Sequence, residues 1–293
     1  MKYVITGSAG HISKPLALQL LAAGHQVTVI GRNAENLKDL IADSAIGSVE
    51  DVAFLTTTFT GADAVYTMVP PSHNSENWKA HIALIGKNYA DAIKAAGVQY
   101  VVNLSSIGAH MPTGCGPVSG LHFVEKHLNN IEGIHVKHLR PAYFYYNYYS
   151  NIAMIKGMGI IGSNYGNNTL LPMAATEDIA AKAAAELLAL NFTGKSETYI
   201  ISDEKKAFEI ANILGNAINI PTLPWVEFSD EQLLAGLLQA GLNTEMASNY
   251  VEMGTAIRTG KMMEDFELRR DTTPKSNTAF EQFAVQFAAA YHQ

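Results

Sequence analysis

Along the first half of the chain, short apolar runs alternate with stretches whose apolar residues recur at helical spacing. Residues 3–6 form an apolar, partly β-branched run closed by Gly7, the pattern of a buried strand. Ile12, Leu16, Ala17, Leu20 and Leu21 then fall on one side of a helix. Pro15 sits in its first turn, where a missing N–H costs little, and Gly24 stands where a helix stops. Residues 26–30 read as a second strand, followed by Gly31-Arg32-Asn33. Strand, glycine turn, helix and strand within about thirty residues make the βαβ unit of a parallel sheet. The alternation continues. Residues 64–69 predict a strand closed by Pro70-Pro71. Residues 76–96 predict a helix with Ile82, Ile85, Tyr89, Ile93 and Ala96 on one face and Gly97 at its end. Residues 99–104 predict a strand opening into Ser105-Ser106, residues 123–130 a helix, and residues 135–139 a strand leading into Arg140-Pro141. Strands alternating with helices predict an α/β fold, a doubly wound parallel sheet of Rossmann type.

Beyond Pro141 the pattern changes. Residues 143–149 are an aromatic cluster, and residues 157–166 are glycine-rich and read as loop. Thr176-Glu177-Asp178 looks like the capped start of a helix running to Leu190, and residues 197–202 predict one more strand. From Asp230 the chain reads as helical, over 230–240, 244–259 and 277–292. The expected organisation is a dinucleotide-binding domain over residues 1–150, to which 172–203 return. A smaller, mostly helical substrate or lid domain over 151–293 is interleaved with it.

Composition narrows the function classes. The 293 residues suffice for a sizeable core and a pocket. Net charge is −7 with no basic run, which argues against direct nucleic-acid binding. Cys115 is the sole cysteine, so no intramolecular disulfide or cysteine-based metal site is expected. Histidines such as His73, His81, His110 and His127 show no metal-ligand spacing, and no metal is expected. No stretch approaches the ~18 uninterrupted apolar residues of a membrane span. The opening residues do not read as a signal peptide. A soluble, cytoplasmic protein is the expectation, acting on a small molecule.

The chemistry concentrates at the first turn. In Gly7-Ser8-Ala9-Gly10-His11-Ile12-Ser13, Gly7 permits a tight turn out of the strand, and Gly10 lets backbone approach a pyrophosphate. The amides that open the helix face the phosphate charge. Ser13 stands where the pattern expects a third glycine. Strand ends bring further candidates for cofactor contact: Met68, Val69 and Pro70 beside the first strand, and Arg32 after the second. An NAD-type fold places Asp or Glu at the end of the second strand to hold the ribose 2′-OH. Here Gly31 and Arg32 stand instead, and a guanidinium suits a 2′-phosphate, so NADP(H) is expected and NAD(H) is less favoured.

Several of these segments together resemble the NmrA-like, atypical branch of the short-chain dehydrogenase/reductase superfamily: Thr6-Gly7-Ser8-Ala9-Gly10-His11-Ile12, Gly31-Arg32, Gly61-Ala62-Asp63-Ala64-Val65, Leu104-Ser105-Ser106, Leu139-Arg140-Pro141 and Asp178-Ile179-Ala180. The resemblance covers about the first 200 residues and implies a Rossmann domain with a small C-terminal domain and a pocket between them. It implies either an NADPH-dependent reductase of quinone or isoflavone type or a non-catalytic regulator that senses the dinucleotide and acts through a protein partner. Related sequences carry Asp near adenine at the end of the third strand; the matching stretch here is Gly47-Ser48.

The superfamily's Tyr-x-x-x-Lys frame appears as His122-Phe123-Val124-Glu125-Lys126, with the tyrosine replaced. Lys126 would hold the nicotinamide ribose. An imidazole can donate a proton, so His122 stands as candidate acid, with a polar pocket wall as the equal alternative. Ser105 and Ser106 lie at a strand's carboxyl end, where this fold places ligands. Ser105 is a candidate catalytic residue and Ser106 a pocket residue, with strand termination as the plainer reading. Tyr143 could stack on a flat substrate, and Asn147 matches an asparagine that follows the Arg-Pro pair in the family; core packing and helix capping are their alternatives. The expected activity is NADPH-dependent reduction of a small carbonyl, enone or quinone. Nucleotide-sugar epimerisation is disfavoured, because it relies on the tyrosine.

Overall fold

The computed structural model describes residues 1–38, 42–72 and 75–293. The N-terminal half runs β1 (Lys2–Ile5), α1 (Ser13–Ala22), β2 (Gln26–Gly31), β3 (Asp43–Ile46), α2 (Val52–Phe59), β4 (Ala64–Thr67), α3 (Trp78–Ala96), β5 (Tyr100–Leu104), α4 (Val118–Asn129) and β6 (His135–Pro141). The second half runs β7 (Tyr143–Phe144), α5 (Ile152–Met158), β8 (Ile161–Ser163), β9 (Leu170–Ala174), α6 (Thr176–Ala189), β10 (Lys195–Ile200), β11 (Asp203–Lys206), α7 (Ala207–Ala217), β12 (Trp225–Glu227), α8 (Asp230–Gln239), α9 (Thr244–Arg258), α10 (Glu264–Glu267) and α11 (Phe280–Tyr291).

Seven strands form one parallel sheet in the order β10-β6-β5-β4-β1-β2-β3. The order reverses direction at β1, between β4 and β2. A crevice opens outside the carboxyl ends of strands at such a switch point, and ligands of α/β sheets bind there. The fold is the Rossmann-type α/β fold that the alternation of strands and helices predicts. Each face of the sheet has its own core. Tyr3, Ile5, Leu16, Leu20 and Tyr66 belong to one, and Val4, Leu55, Phe59, Ile85 and Tyr89 to the other. β10 continues the sheet beyond β6, so the chain returns to it after leaving at Pro141.

Local chemistry explains the element ends that position the site. The α1 helix closes where Gly24, at φ +82°, donates to Leu21 O and His25 donates to Leu20 O, a left-handed glycine cap. The α3 helix opens on Asn77, whose side chain accepts from the Ala80 amide at 3.0 Å. Gly86 and Gly120 bring α3 and α4 together: a Cβ on Gly86 would stand 2.7 Å from Val124 Cα, and one on Gly120 would stand 2.7 Å from Ile82 Cβ.

Several elements depart from the pattern of the sequence. The threonine-rich run 52–59 is helical. Asp51 caps it, and Thr56, Thr57 and Thr58 return their hydroxyls to carbonyls four residues earlier. Residues 157–166 are not simply loop, because β8 lies within them and pairs with β12. Thr176 does not cap α6. Ala175 holds that position, Thr176 donates to Glu177, and Asp178 accepts from Ser202 and Thr278 instead. β9 and α7 have no counterpart in the sequence pattern: β9 contains Pro172 and pairs antiparallel with β11.

Candidate functional site

Gly7 leaves β1 with φ +99°, and Ser8 follows at φ +54°. A side chain on Gly7 would place its Cβ 2.4 Å from Ser13 Oγ and 2.9 Å from Met68 Cγ. Gly7 is therefore fixed by packing as well as by its torsion. Ser13, in the place of the third glycine, is buried and donates to Thr6 O at 2.9 Å, closing the turn on the strand it leaves. Gly10 differs from Gly7. It is exposed, and a Cβ there would meet only Gly7 O, at 3.1 Å. The amides of His11, Ile12 and Ser13 donate to no acceptor among the described residues, and no side chain caps α1. Free amides at the start of a helix, beside a bare backbone, form a cradle for a phosphate group.

The next strand end flanks this cradle. Gly31 is buried, and Arg32 is exposed with no hydrogen bond or ion pair among the described residues. On the other side, Thr6 Oγ1 accepts from the Met68 amide at 2.9 Å, and Tyr89 donates to Met68 O at 2.7 Å. The backbone of Met68 is thereby tied to Thr6 at the end of β1 and to Tyr89 of α3, and its side chain covers Gly7. Val69 and Pro70 follow, half-buried. His73 lies outside the described residues.

The α4 side is organised differently. His122 is half-buried, and its Nδ1 lies 3.0 Å from Ala109 O. A carbonyl only accepts, so Nδ1 carries a hydrogen and Nε2 is the ring nitrogen left to other partners. Lys126 lies one turn further on and is exposed, with no ion pair among the described residues. Ser105, a candidate catalytic residue in the sequence, lies at the end of β5. It is 3% exposed, and its hydroxyl donates to Glu125 Oε1 at 2.6 Å, so its proton is turned into the protein. The residue that claims it, Glu125, is one the sequence did not mark. Arg140 grips Glu125 through both oxygens, Nε to Oε1 at 2.9 Å and Nη2 to Oε2 at 2.6 Å. Burial pushes the Glu125 carboxyl up, but Arg140, His138 and Ser105 outweigh it and hold the group below the usual carboxylate range. Ser106 is half-buried and returns its hydroxyl to Ile107 O at 2.9 Å.

The tyrosine cluster divides. Tyr145 and Tyr148 are core, packed edge-to-face on Phe280 of α11. Tyr143 is half-buried; burial and the neighbouring Tyr250 raise its phenol, and the Asn147 side chain works against them. Tyr146 is exposed and lies against His11 of the glycine turn, ring centroids 4.2 Å apart. Cys115 is buried, and burial pushes its thiol up to about 12, far from a reactive thiolate.

Residues 7–130 match a family described as NAD(P)H-binding. The N-terminal region is an NAD(P)H-binding domain. Among solved structures, the whole chain is similar to an NADPH-dependent quinone oxidoreductase from Escherichia coli complexed with NADPH, at 20% identity and TM-score 0.82, covering 97% of this chain and 99% of that one. It is similar to a triphenylmethane reductase from Citrobacter sp. complexed with NADP(H), at 20% identity and TM-score 0.79, covering 98% and 99%. It is also similar to a nucleoside-diphosphate-sugar epimerase from Staphylococcus aureus, at 15% identity and TM-score 0.77, covering 97% and 100%. At such identities the likeness establishes the fold. A search of curated proteins gives no match.

Polar contacts, most of them part-buried, fasten the C-terminal elements to the sheet and to α3. Arg140 donates to Asp265 of α10 at 2.9 Å and to Tyr199 of β10 at 3.1 Å. Trp78 N, at the start of α3, donates to Glu245 of α9, and Lys79 pairs with Glu252. Within the C-terminal elements, Arg258 and Asn164 hold the Asp230 carboxyl down at about 2. Among the described residues no His, Cys, Asp and Glu cluster suited to a metal occurs. No described helix is long and apolar enough to cross a membrane.

Proposed function

We propose that this chain is an NADPH-dependent oxidoreductase of the NmrA-like, atypical short-chain type, reducing a small carbonyl, enone or quinone. One observation carries the reading: three unpartnered amides at the start of α1 stand beside a strand end that bears Gly31 and Arg32 in place of a carboxylate. The amides and Gly10 would hold the pyrophosphate, and Arg32 the 2′-phosphate. Bound there, NADPH supplies the hydride. His122 Nδ1 stays on Ala109 O, which leaves Nε2 as the atom through which the ring takes or gives a proton, and as imidazolium it donates there. Tyr143, Asn147 and Ser106 would line the substrate side. Lys126 would reach the ribose. The reductases named above support the class of reaction. The lone, buried Cys115 fits a reducing cytoplasm.

A second reading, a dinucleotide sensor without turnover, is favoured by the burial of the Ser105 hydroxyl, which leaves His122 as the remaining candidate acid at this edge. Loss of NADPH absorbance against quinones, enones and aldehydes separates the two. The reductase oxidises NADPH, and His122→Phe lowers kcat on the order of 10²–10⁴-fold with NADPH affinity retained. Arg32→Ala weakens NADPH about ten- to a hundredfold and leaves NADH nearly unchanged. Full turnover by His122→Phe overturns the acid assignment. Equal wild-type affinities for the two cofactors overturn the NADPH assignment.

A further inference from the structure

The end of β2 carries glycine where a carboxylate would recognise an unphosphorylated ribose. The backbone torsion does not require it, since Gly31 lies outside the left-handed region. Space does. An ideal Cβ on Gly31 would stand 2.8 Å from Ser8 Oγ, 3.2 Å from Ser8 Cβ and 3.1 Å from Leu37 Cδ1. Rotating the serine hydroxyl relieves the first contact and leaves the second, because the Cβ stays where the backbone puts it. Ser8 is pinned there: its amide donates to Ile30 O at 3.0 Å, and its φ of +54° aims the side chain across the strand end. Gly31 cannot retreat either. It is buried and paired with Ile46 of β3, and its carbonyl accepts from Gly47 N at 3.0 Å. Leu37 is 3% exposed and closes the remaining side.

We propose that Ser8 is a specificity-determining residue: its side chain holds position 31 to glycine and so keeps a ribose-binding carboxylate out of the cofactor site. Selectivity then has two parts, the charge of Arg32 and the steric exclusion imposed by Ser8. The second part rests on the dinucleotide reading of the site and deepens it. The arrangement is unusual because a serine accepts a left-handed torsion that glycine would adopt more cheaply. Glycine at position 8 would relieve that torsion and open the space at position 31 in one step.

A double-mutant cycle tests the proposal, with calorimetric titration of NADPH and NADH and a thermal melt of each protein. Gly31→Ala adds only the Cβ. In the wild-type background it weakens both cofactors about tenfold or more; in the Ser8→Gly background the same change costs less than about threefold, a coupling expected of side chains in contact. Gly31→Asp extends the cycle. Alone it binds both cofactors poorly, and combined with Ser8→Gly it binds NADH at least about tenfold better than NADPH. Additive effects of Gly31→Ala and Ser8→Gly overturn the proposal, as does tight NADH binding by Gly31→Asp alone. Gly31→Ala keeps the test open if the aspartate variant melts at room temperature. Lack of NADPH preference in the wild type overturns the proposed cofactor instead, and the coupling at position 31 still reads out the role of Ser8.

Discussion

The two sides of the candidate site are built on different principles. The β1–α1–β2 side is local: turn, helix start and strand end lie within one short segment, and backbone does the work. The α4 side is assembled from distant parts. Glu125 from α4, Arg140 from β6 and Ser105 from the end of β5 meet in one buried cluster, which the half-buried Asp265 of α10 joins through Arg140. A local, backbone-built site can be read from residue types in order. A site made by sharing out a few polar side chains cannot, because the partner that captures each one is set by packing.

The largest effect tests that sharing. Glu125→Gln takes away the carboxylate that grips Arg140 through both oxygens and leaves Asp265 as its remaining counter-charge, which costs about 3 kcal/mol or more, measured by denaturant unfolding. Ser105→Ala costs only about 1–2 kcal/mol for its lost hydrogen bond, and kcat stays near the wild-type value. A loss of kcat near 10³-fold in a stable Ser105→Ala protein, on the order expected of a proton carrier, would assign Ser105 a catalytic role instead.

The second test takes the two glycines of the local side apart. Gly10→Val fills the cradle, and its Cβ meets only Gly7 O. It should weaken dinucleotide binding about a hundredfold or more, worth roughly 2.7 kcal/mol, with the circular dichroism spectrum retained. Gly7→Ala should do the reverse. It meets Ser13 and Met68 at a positive φ, so it lowers stability by about 2–4 kcal/mol. Unimpaired binding by folded Gly10→Val would place the dinucleotide elsewhere.

The smallest effect sharpens the picture of the assembled side. Thr67 donates to Asn103 Oδ1, so Asn103 Nδ2 faces His138 Nδ1, while His138 Nε2 donates to Asn129 Oδ1. The chain is complete only with a neutral imidazole, and burial lowers the pKa of His138. Its unfolded value is about 6.5, so as pH falls below that the unfolded chain takes a proton that the folded chain refuses. Stability therefore declines from about pH 6.5 downward, until the lowered folded pKa is reached. His127, lowered by burial, acts in the same sense, so the comparison is with His138→Gln. Parallel stability-versus-pH curves for the two proteins between pH 7.5 and 5.5 would remove His138 from this account (pH range about that of histidine titration).

The sequence by itself determined the parallel sheet, because alternating strand and helix periods leave few topologies. It also marked Gly7, Gly10 and Arg32, because a backbone turn must use residue types that permit it. It placed α3 closely, reading a helix over 76–96 with Gly97 at its end where the structure has Trp78–Ala96, and the Asn77 cap is added by the structure. It did not mark α2, whose threonines favour strand in isolation and are helical because Asp51 and the return hydroxyl bonds satisfy them. It named Ser105 from its place at a strand end, yet could not foresee Glu125 as its partner. Only the tertiary structure decided that Ser105 faces inward, that Tyr145 and Tyr148 are core while Tyr146 meets His11, and that Ser8 stands over Gly31. The reason is physical: torsions and periodicities belong to neighbours in sequence, whereas the fate of a hydroxyl or a ring depends on which side chains packing brings within about 3–4 Å of it.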